Sequence, residues 1–348
     1  MSTGLGKAIR LTVCCGLVGA WCALGPALGA VAADGPAATE AKPYEPVPGV
    51  SGVLNGKGSD TLNNMMDLWM KAFMKVYPNV QATYVGEGSS TAPPALIEGT
   101  AQLGPMSRAM KPEEEESIEE RYGFKPTRLT VALDCVAVFV HKDNSLRGLT
   151  LPQLDSIFSQ TRNSGYGNVT RWGQVGLADL PGWKDRPISL YGRNAASGTY
   201  AFFKKKALFG GDYKDSVKEQ PGSAAVVNGV ASDRSAIGYS GIGYKTADVR
   251  VLPLGEGFKA GELDPSSEEG KAKLRLAEPT FENALSGEYP LGRGLFIYVV
   301  KKPDEPAPLL VSEFLKFVLS EEGQEIVVQD GFGPLPATAI ETELKRLQ

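Results

Sequence analysis

From Val53 onward the chain alternates between two hydrophobic periods, and this alternation narrows the available folds more than any other feature. Leu62, Met65, Met66, Trp69, Phe73 and Val76 recur at three- and four-residue steps, which predicts a helix stopped by Pro78. Val80–Val85 then reads as a strand, and Ala95–Gly99 as the remainder of a short helix opened by Pro93-Pro94. Val131–Val140 is a strongly apolar strand. Ile188–Tyr191, Ala236–Tyr239, Val249–Leu252 and Leu295–Val300 are shorter β-branched or aromatic runs. Leu310, Phe314, Phe317, Val318 and Ile326 predict one long helix that stops near Gly331 and Pro334. Interleaved strands and helices imply an α/β fold with mainly parallel sheets. With 348 residues, 42% of them hydrophobic, the chain is long enough for two domains of roughly 150 residues each.

Residues 1–32 stand outside this pattern. Lys7 and Arg10 precede an apolar run from Leu11 to Val31, interrupted by Gly16, Gly19, Gly25, Pro26 and Gly29. The run closes on Ala30-Val31-Ala32, the small-x-small pattern that signal peptidase cuts, so a cut after Ala32 is expected rather than a retained anchor. Trp21 before Cys22 and Val13 before Cys14 argue against a lipid-modified cysteine, which wants a small residue there. Cleavage removes Cys14, Cys15 and Cys22 and leaves Cys135 alone, so no internal disulfide is expected in an exported chain. Residues 33–50, rich in Ala, Pro and Glu without an apolar period, read as a flexible lead-in. No other stretch approaches 18 apolar residues, so the expected destination is periplasmic or secreted.

Composition removes several function classes. A net charge of −4 without a basic block argues against nucleic-acid or anionic-membrane binding. One His and four scattered Cys disfavour a zinc site and a Ser-His-Asp triad. Four polar segments remain. They are Gly58-Ser59-Asp60-Thr61, Gly86-Glu87-Gly88-Ser89-Ser90-Thr91, Gly104-Pro105-Met106-Ser107-Arg108 and Arg193-Asn194-Ala195-Ala196-Ser197-Gly198-Thr199. Three of them are hydroxyl-rich turns between a strand and a helix N-terminus. There, free amide N–H groups and the positive end of the helix dipole suit an oxyanion. Any single turn is explained as well by ordinary helix capping. Four together, two with an Arg, are not. None matches GxxxxGK[ST], and no GxGxxG with an acidic ribose clamp is present, so a nucleotide enzyme loses support.

On these segments, in this order and spacing, the chain resembles the periplasmic phosphate-binding proteins of ABC transporters, the PstS type, from about Val53 to the C-terminus. The resemblance implies a two-lobe clamshell that holds phosphate between the lobes with helix N-termini, hydroxyls, one Arg and one acceptor Asp, and it implies no cofactor. Carried over, it assigns Asp60 and Thr61 from the first loop, Ser89 from the second and Ser107 from the third. From the fourth it assigns Arg193, Ser197, Gly198 and Thr199. Ser59 and Arg108 are further candidates. Two departures follow. The family's acceptor Asp sits where this chain has Ser107, while Asp60 stands where Thr is common. The Asp that usually follows the fourth-loop Arg by two residues is Ala195, so Asp60 is the expected partner of Arg193.

Residues 51–137 and 295–348 would form one lobe and 138–294 the other, with Val136–Val140 and Leu295–Val300 crossing between them. The implied function is capture of inorganic phosphate by a monomer that delivers it to an inner-membrane ABC permease, without enzymatic activity. A receptor for sulfate or molybdate is the alternative in the same class. A secreted phosphatase on this fold is the alternative from another, but it needs a nucleophile with a base, or a metal cluster. Cys135 reads as a buried inert thiol, His141 as a surface residue, Trp172 and Trp183 as packing groups. Glu113–Glu116 and Lys204–Lys206 read as solvated helix faces.

Overall fold

Trp69 and Phe73 lie on the helix face that the three- and four-residue steps predict, and both are fully buried in the computed structural model, which describes residues 41–264 and 267–348. Their helix, α1 (Asn63–Val76), connects β1 (Gly52–Lys57) to its parallel partner β2 (Val80–Val85). Next come α2 (Ala92–Glu98), with prolines in its first turn, β3 (Gly104–Met106), α3 (Pro112–Tyr122) and the 15-residue strand β4 (Thr127–His141). A short β5 (Leu149–Thr150) and α4 (Leu151–Phe158) precede β6 (Ser189–Arg193) and α5 (Gly198–Ala207). They are followed by β7 (Lys218–Gln220), α6 (Ser223–Ser232), β8 (Ala236–Gly241), β9 (Val249–Val251) and β10 (Leu254–Gly255). The chain then forms α7 (Glu268–Lys273), α8 (Phe281–Ser286), β11 (Gly292–Val299), α9 (Leu309–Val318), α10 (Glu321–Gln329) and α11 (Ala337–Lys345).

Two hydrophobic cores divide along β4. The first takes Leu54, Trp69, Phe73, Leu129, Val131 and Ala132, then Leu295, Phe314, Phe317 and Val327 from the other end of the chain. The second takes Cys135, Val136, Val138, Phe158, Trp172, Phe203, Tyr239 and Leu291. β4 and β11 therefore pass from one core to the other within a few residues, paired in register with Arg293 opposite Asp134 and Gly292 opposite Cys135. Trp172 and Trp183 pack edge to face at 6.0 Å in the second core. Cys135 is fully buried, and burial pushes its thiol up, as suits an inert group. His141 uses Nδ1 to accept a bond from the Asp143 amide.

The structure corrects four expectations. The sheets are mixed: β4 is antiparallel to β11, β8 and β9, and β11 to β3, while β1–β2, β5–β10, β6–β7 and β6–β8 are parallel. A strand that leaves one core and a strand that returns to it run in opposite senses, and hydrophobic periodicity carries no direction. The long C-terminal helix is two helices, α9 and α10. Ser320 breaks it by accepting a bond from the Gly323 amide, and α10 then packs so close that a Cβ on Gly323 would lie 2.1 Å from the Phe317 carbonyl oxygen. Helix α5 starts at Gly198, inside the fourth polar segment rather than after it.

Residues 41–50 of the expected flexible lead-in pack against the body. Tyr44 donates its hydroxyl to Glu313, Glu321 donates its amide to the Lys42 carbonyl, and Val50 joins the first core. Residues 33–40, the leader over 1–32 and the cut after Ala32 lie outside the described residues. No helix among the described residues is long and apolar enough to cross a membrane.

Candidate functional site

Three of the four loops are shaped locally by a capping hydroxyl or a tight turn. Ser59 accepts a bond from the Thr61 amide at 3.2 Å and opens a 3-10 turn, Asp60–Leu62, that runs into α1. Its own amide donates to the Pro105 carbonyl at 2.8 Å, tying the first loop to the third. Ser89 opens a similar turn ahead of α2 and accepts from the Ser107 amide at 3.0 Å. Ser197 caps α5 by accepting from the Thr199 and Tyr200 amides. The Ser90 amide donates to the Ala196 carbonyl at 3.1 Å, so the second loop touches the fourth.

These turns bring their hydroxyls to one place. Thr61 Oγ1 lies 2.9 Å from Thr199 Oγ1 and donates to Ser107 Oγ at 3.4 Å, which in turn is 3.3 Å from Ser89 Oγ. Thr61, Ser89, Ser107, Ser197 and Thr199 are all buried. Gly198, first residue of α5, faces this cluster: a Cβ there would lie 2.3 Å from Ser89 Oγ and 2.6 Å from Ser107 Oγ. Gly198→Ala is therefore expected to turn both serine hydroxyls away and weaken anion binding by about tenfold or more, one to two hydrogen bonds' worth. Titration calorimetry beside a thermal melt checks this; unchanged affinity would show that α5 does not meet the anion.

Charge enters through Arg193, whose side chain is 1% exposed. It donates to Ser223 Oγ at 2.7 Å and lies 3.2 Å from Asp60 Oδ2, the partner expected in place of Ala195. Asp60 Oδ2 also accepts the Ser223 amide at 2.8 Å, so the carboxylate sits on the N-terminus of α6. Both recorded donors to Asp60 go to Oδ2, which leaves Oδ1 with acceptor capacity. Burial pulls the Arg193 guanidinium below its ordinary range, and Asp60 opposes that pull. Arg193 Nε is buried without a partner among the described residues.

Arg108 goes elsewhere. It forks onto Glu114 at 2.6 and 2.7 Å and also donates to Ser90 Oγ and the Ala109 carbonyl. Burial pushes Glu114 up, but its bonds to Arg108 and to the Lys111 amide outweigh this and hold it low. Glu114 is thus the tether of Arg108, not part of a solvated face, and neither residue joins the hydroxyl cluster.

A second buried ion pair adjoins the cluster and was not among the sequence-derived candidates. Arg293 donates to Asp134 Oδ2 through Nε at 2.8 Å and Nη2 at 2.7 Å. It also reaches the Ser107 carbonyl at 2.7 Å and Thr199 Oγ1 at 2.9 Å. Asp134 had left a signal: it is the single charged residue in the apolar run Val131–Val140, and a buried carboxylate needs a cation. Ser223 left none, being one more Ser before a helix.

Buried hydroxyl and amide donors, a helix N-terminus and a guanidinium can hold an oxyanion. Among the described residues no cluster of three or more His, Cys, Asp or Glu could hold a metal ion.

Comparison with known proteins gives the same class. A family model described as a PBP superfamily domain matches residues 31–322. Over 322 residues the chain is 49% identical to the phosphate-binding protein PstS of Pseudomonas aeruginosa, covering 92% of this chain and 94% of that one. Among solved structures it resembles a substrate-binding protein from Clostridium perfringens with bound phosphate (TM-score 0.65, 24% identity, 82% of this chain and 100% of that one). It also resembles an ABC-type phosphate transport receptor from Vibrio cholerae (TM-score 0.59, 22% identity, 81% and 100%). The last two likenesses bear on the fold, which is the two-lobe α/β fold of periplasmic phosphate-binding proteins. On the matched domain and the close relative together, the chain belongs to the PstS family of phosphate-binding proteins within the PBP superfamily.

Proposed function

We propose that this protein is an exported receptor that captures inorganic phosphate between two lobes and delivers it to an ABC transporter in the inner membrane. The observation that carries this reading is the convergence of Thr61, Ser89, Ser107 and Thr199 on the N-terminus of α5, beside the Arg193–Asp60 pair. Such a set offers several donors to one oxyanion and, in Asp60 Oδ1, an acceptor for a proton on it. Asp60, Thr61, Ser89, Ser107, Arg193, Ser197, Gly198 and Thr199 are its proposed contacts. Ser59 acts as a cap, and Arg108 is left out.

The lobes are taken as 51–137 with 295–348, and 138–294, a division supported by the two separate cores. Loops one to three then lie on one lobe and loop four on the other, so phosphate gains its full donor set only in the closed form. Export after removal of residues 1–32, a monomeric state and the absence of enzymatic activity complete the reading. The hydroxyls here bond to one another and to an Arg.

One phosphate per monomer is expected, with Kd about 1 μM or tighter, near −8 kcal/mol. Calorimetry after unfolding, dialysis and refolding to strip carried-over ligand tests it, with sulfate and p-nitrophenyl phosphate as further arms. No heat with phosphate, or turnover of the ester, would overturn the reading.

A further inference from the structure

Among the buried groups beside the hydroxyl cluster, the pair Arg293–Asp134 takes no direct part in the site proposed above, yet it touches that site twice. A guanidinium has five N–H donors and no acceptor. In its bond with Arg293 Nη2, Thr199 Oγ1 must therefore accept, which leaves its own proton to give away. The neighbour at 2.9 Å is Thr61 Oγ1, and Thr61 in turn donates to Ser107 Oγ. The Ser107 carbonyl is meanwhile held by Arg293 Nη1 at 2.7 Å. One cation thus sets the direction of a chain of hydroxyls that could otherwise rotate between donating and accepting.

We infer that Arg293, held by Asp134 where the paired strands β4 and β11 pass between the cores, is a positioning residue for the bound anion: by occupying the acceptor side of Thr199 it leaves the Thr199 proton, given to Thr61 Oγ1 in this structure, as the one that turns to the anion. The inference rests on the phosphate reading and deepens it. Both Asp134 oxygens are engaged, Oδ2 taking two bonds from Arg293 and Oδ1 one from the Ile242 amide at 3.2 Å. The pair is neutral as a unit, so its contribution is direction rather than net charge. It also sits at the boundary of the two cores. Ser107 follows β3 beside the first core, and Thr199 opens the helix whose Phe203 belongs to the second. A hydroxyl whose acceptor side is already occupied has fewer orientations to lose when phosphate arrives than one free to rotate.

A double-mutant cycle tests this. Phosphate titrations are run on the wild type, Thr199→Val, the paired substitution Asp134→Asn with Arg293→Gln, and all three changes together, each with a thermal melt. Thr199→Val alone is expected to weaken phosphate about tenfold or more, and the paired substitution similarly. In the paired background the further loss from Thr199→Val should shrink to about twofold or less, because an undirected hydroxyl is worth little. If the paired variant does not fold, Arg293→Lys supplies the same cycle, since a compact ammonium with three donors cannot reproduce the four bonds that Arg293 makes from a planar fork. Additive losses in a folded background would overturn the inference and leave Arg293 a structural residue, with the phosphate reading intact. Absence of phosphate binding in the wild type would instead overturn the phosphate reading, and this inference with it.

Discussion

Asp60→Asn is expected to reduce phosphate-over-sulfate discrimination by about 10²-fold or more, from a starting ratio on the order of 10⁴, while phosphate itself weakens only about tenfold. A carboxylate beside an oxyanion is unfavourable by several kcal/mol at moderate effective dielectric unless the ligand brings a proton for it to accept. Phosphate near neutral pH has at least one P–OH; sulfate has none. On the proposed reading Asp60 supplies the acceptor. Its Oδ2 is committed to Arg193 and the Ser223 amide, and Oδ1 is left to accept. Asparagine keeps the shape, accepts from the Ser223 amide through its carbonyl oxygen and can donate to a bare sulfate oxygen. Arsenate, which also carries an OH, should compete with phosphate in both proteins. Competition titrations decide the matter: unchanged rejection of sulfate by the variant would assign the proton test to another group.

Arg193→Ala should cost about 10²-fold in phosphate affinity, whereas Arg108→Ala should change it by no more than about threefold. Loss of the Arg193 guanidinium removes charge-assisted donors and also leaves Asp60 facing the anion without its cation. Arg108 is bound to Glu114, so its loss should appear in the thermal melt instead, as a half-buried carboxylate without its partner. Calorimetry and melting on both variants separate the two effects. Equal affinity losses would mean that the hydroxyl cluster reads a more distant field than its contacts imply.

The division between what could be read in the sequence and what could not follows the range of the interactions. Ser59 and Ser197 were legible because capping is local: the hydroxyl and the amides it serves lie within three residues. The same chemistry at Ser320, followed by Glu321 and Glu322, marked the break between α9 and α10, but the apolar period ran across it and hid the stop. Ser89 serves the Ser107 amide, 18 residues on, and the resemblance rather than a local pattern pointed to it. The Asp60–Arg193 pair became legible once Ala195 removed the usual partner. Arg293 and Asp134 bond across 159 residues of chain, and no local pattern reports a partner so distant. Strand direction was equally hidden, since an apolar run reads alike whichever way its neighbour points. Tyr44 anchors the lead-in through Tyr77 and Glu313, contacts that the stretch Ala41 to Val50, with three prolines and no apolar period, does not announce.

The two cores differ in when they can be assembled. The second draws on one uninterrupted stretch from Cys135 to Leu291, whose ends meet where Tyr289 donates to the Val136 carbonyl across 153 residues, so it can form as soon as that stretch is present. The first joins residues near the beginning to Phe314, Phe317 and Val327, and Tyr44 meets Glu313 across 269 residues. A chain that emerges N-terminus first must carry α1, β1 and β2 without their packing partners until its last helices arrive. Until β11 pairs along Thr127–Cys135, that half of β4 presents an open edge, a surface prone to wrong pairing. Folding of the first core is thereby a late, C-terminus-gated event. A truncation that removes α9 and α10 would leave a folded second core tethered to an unfolded first one.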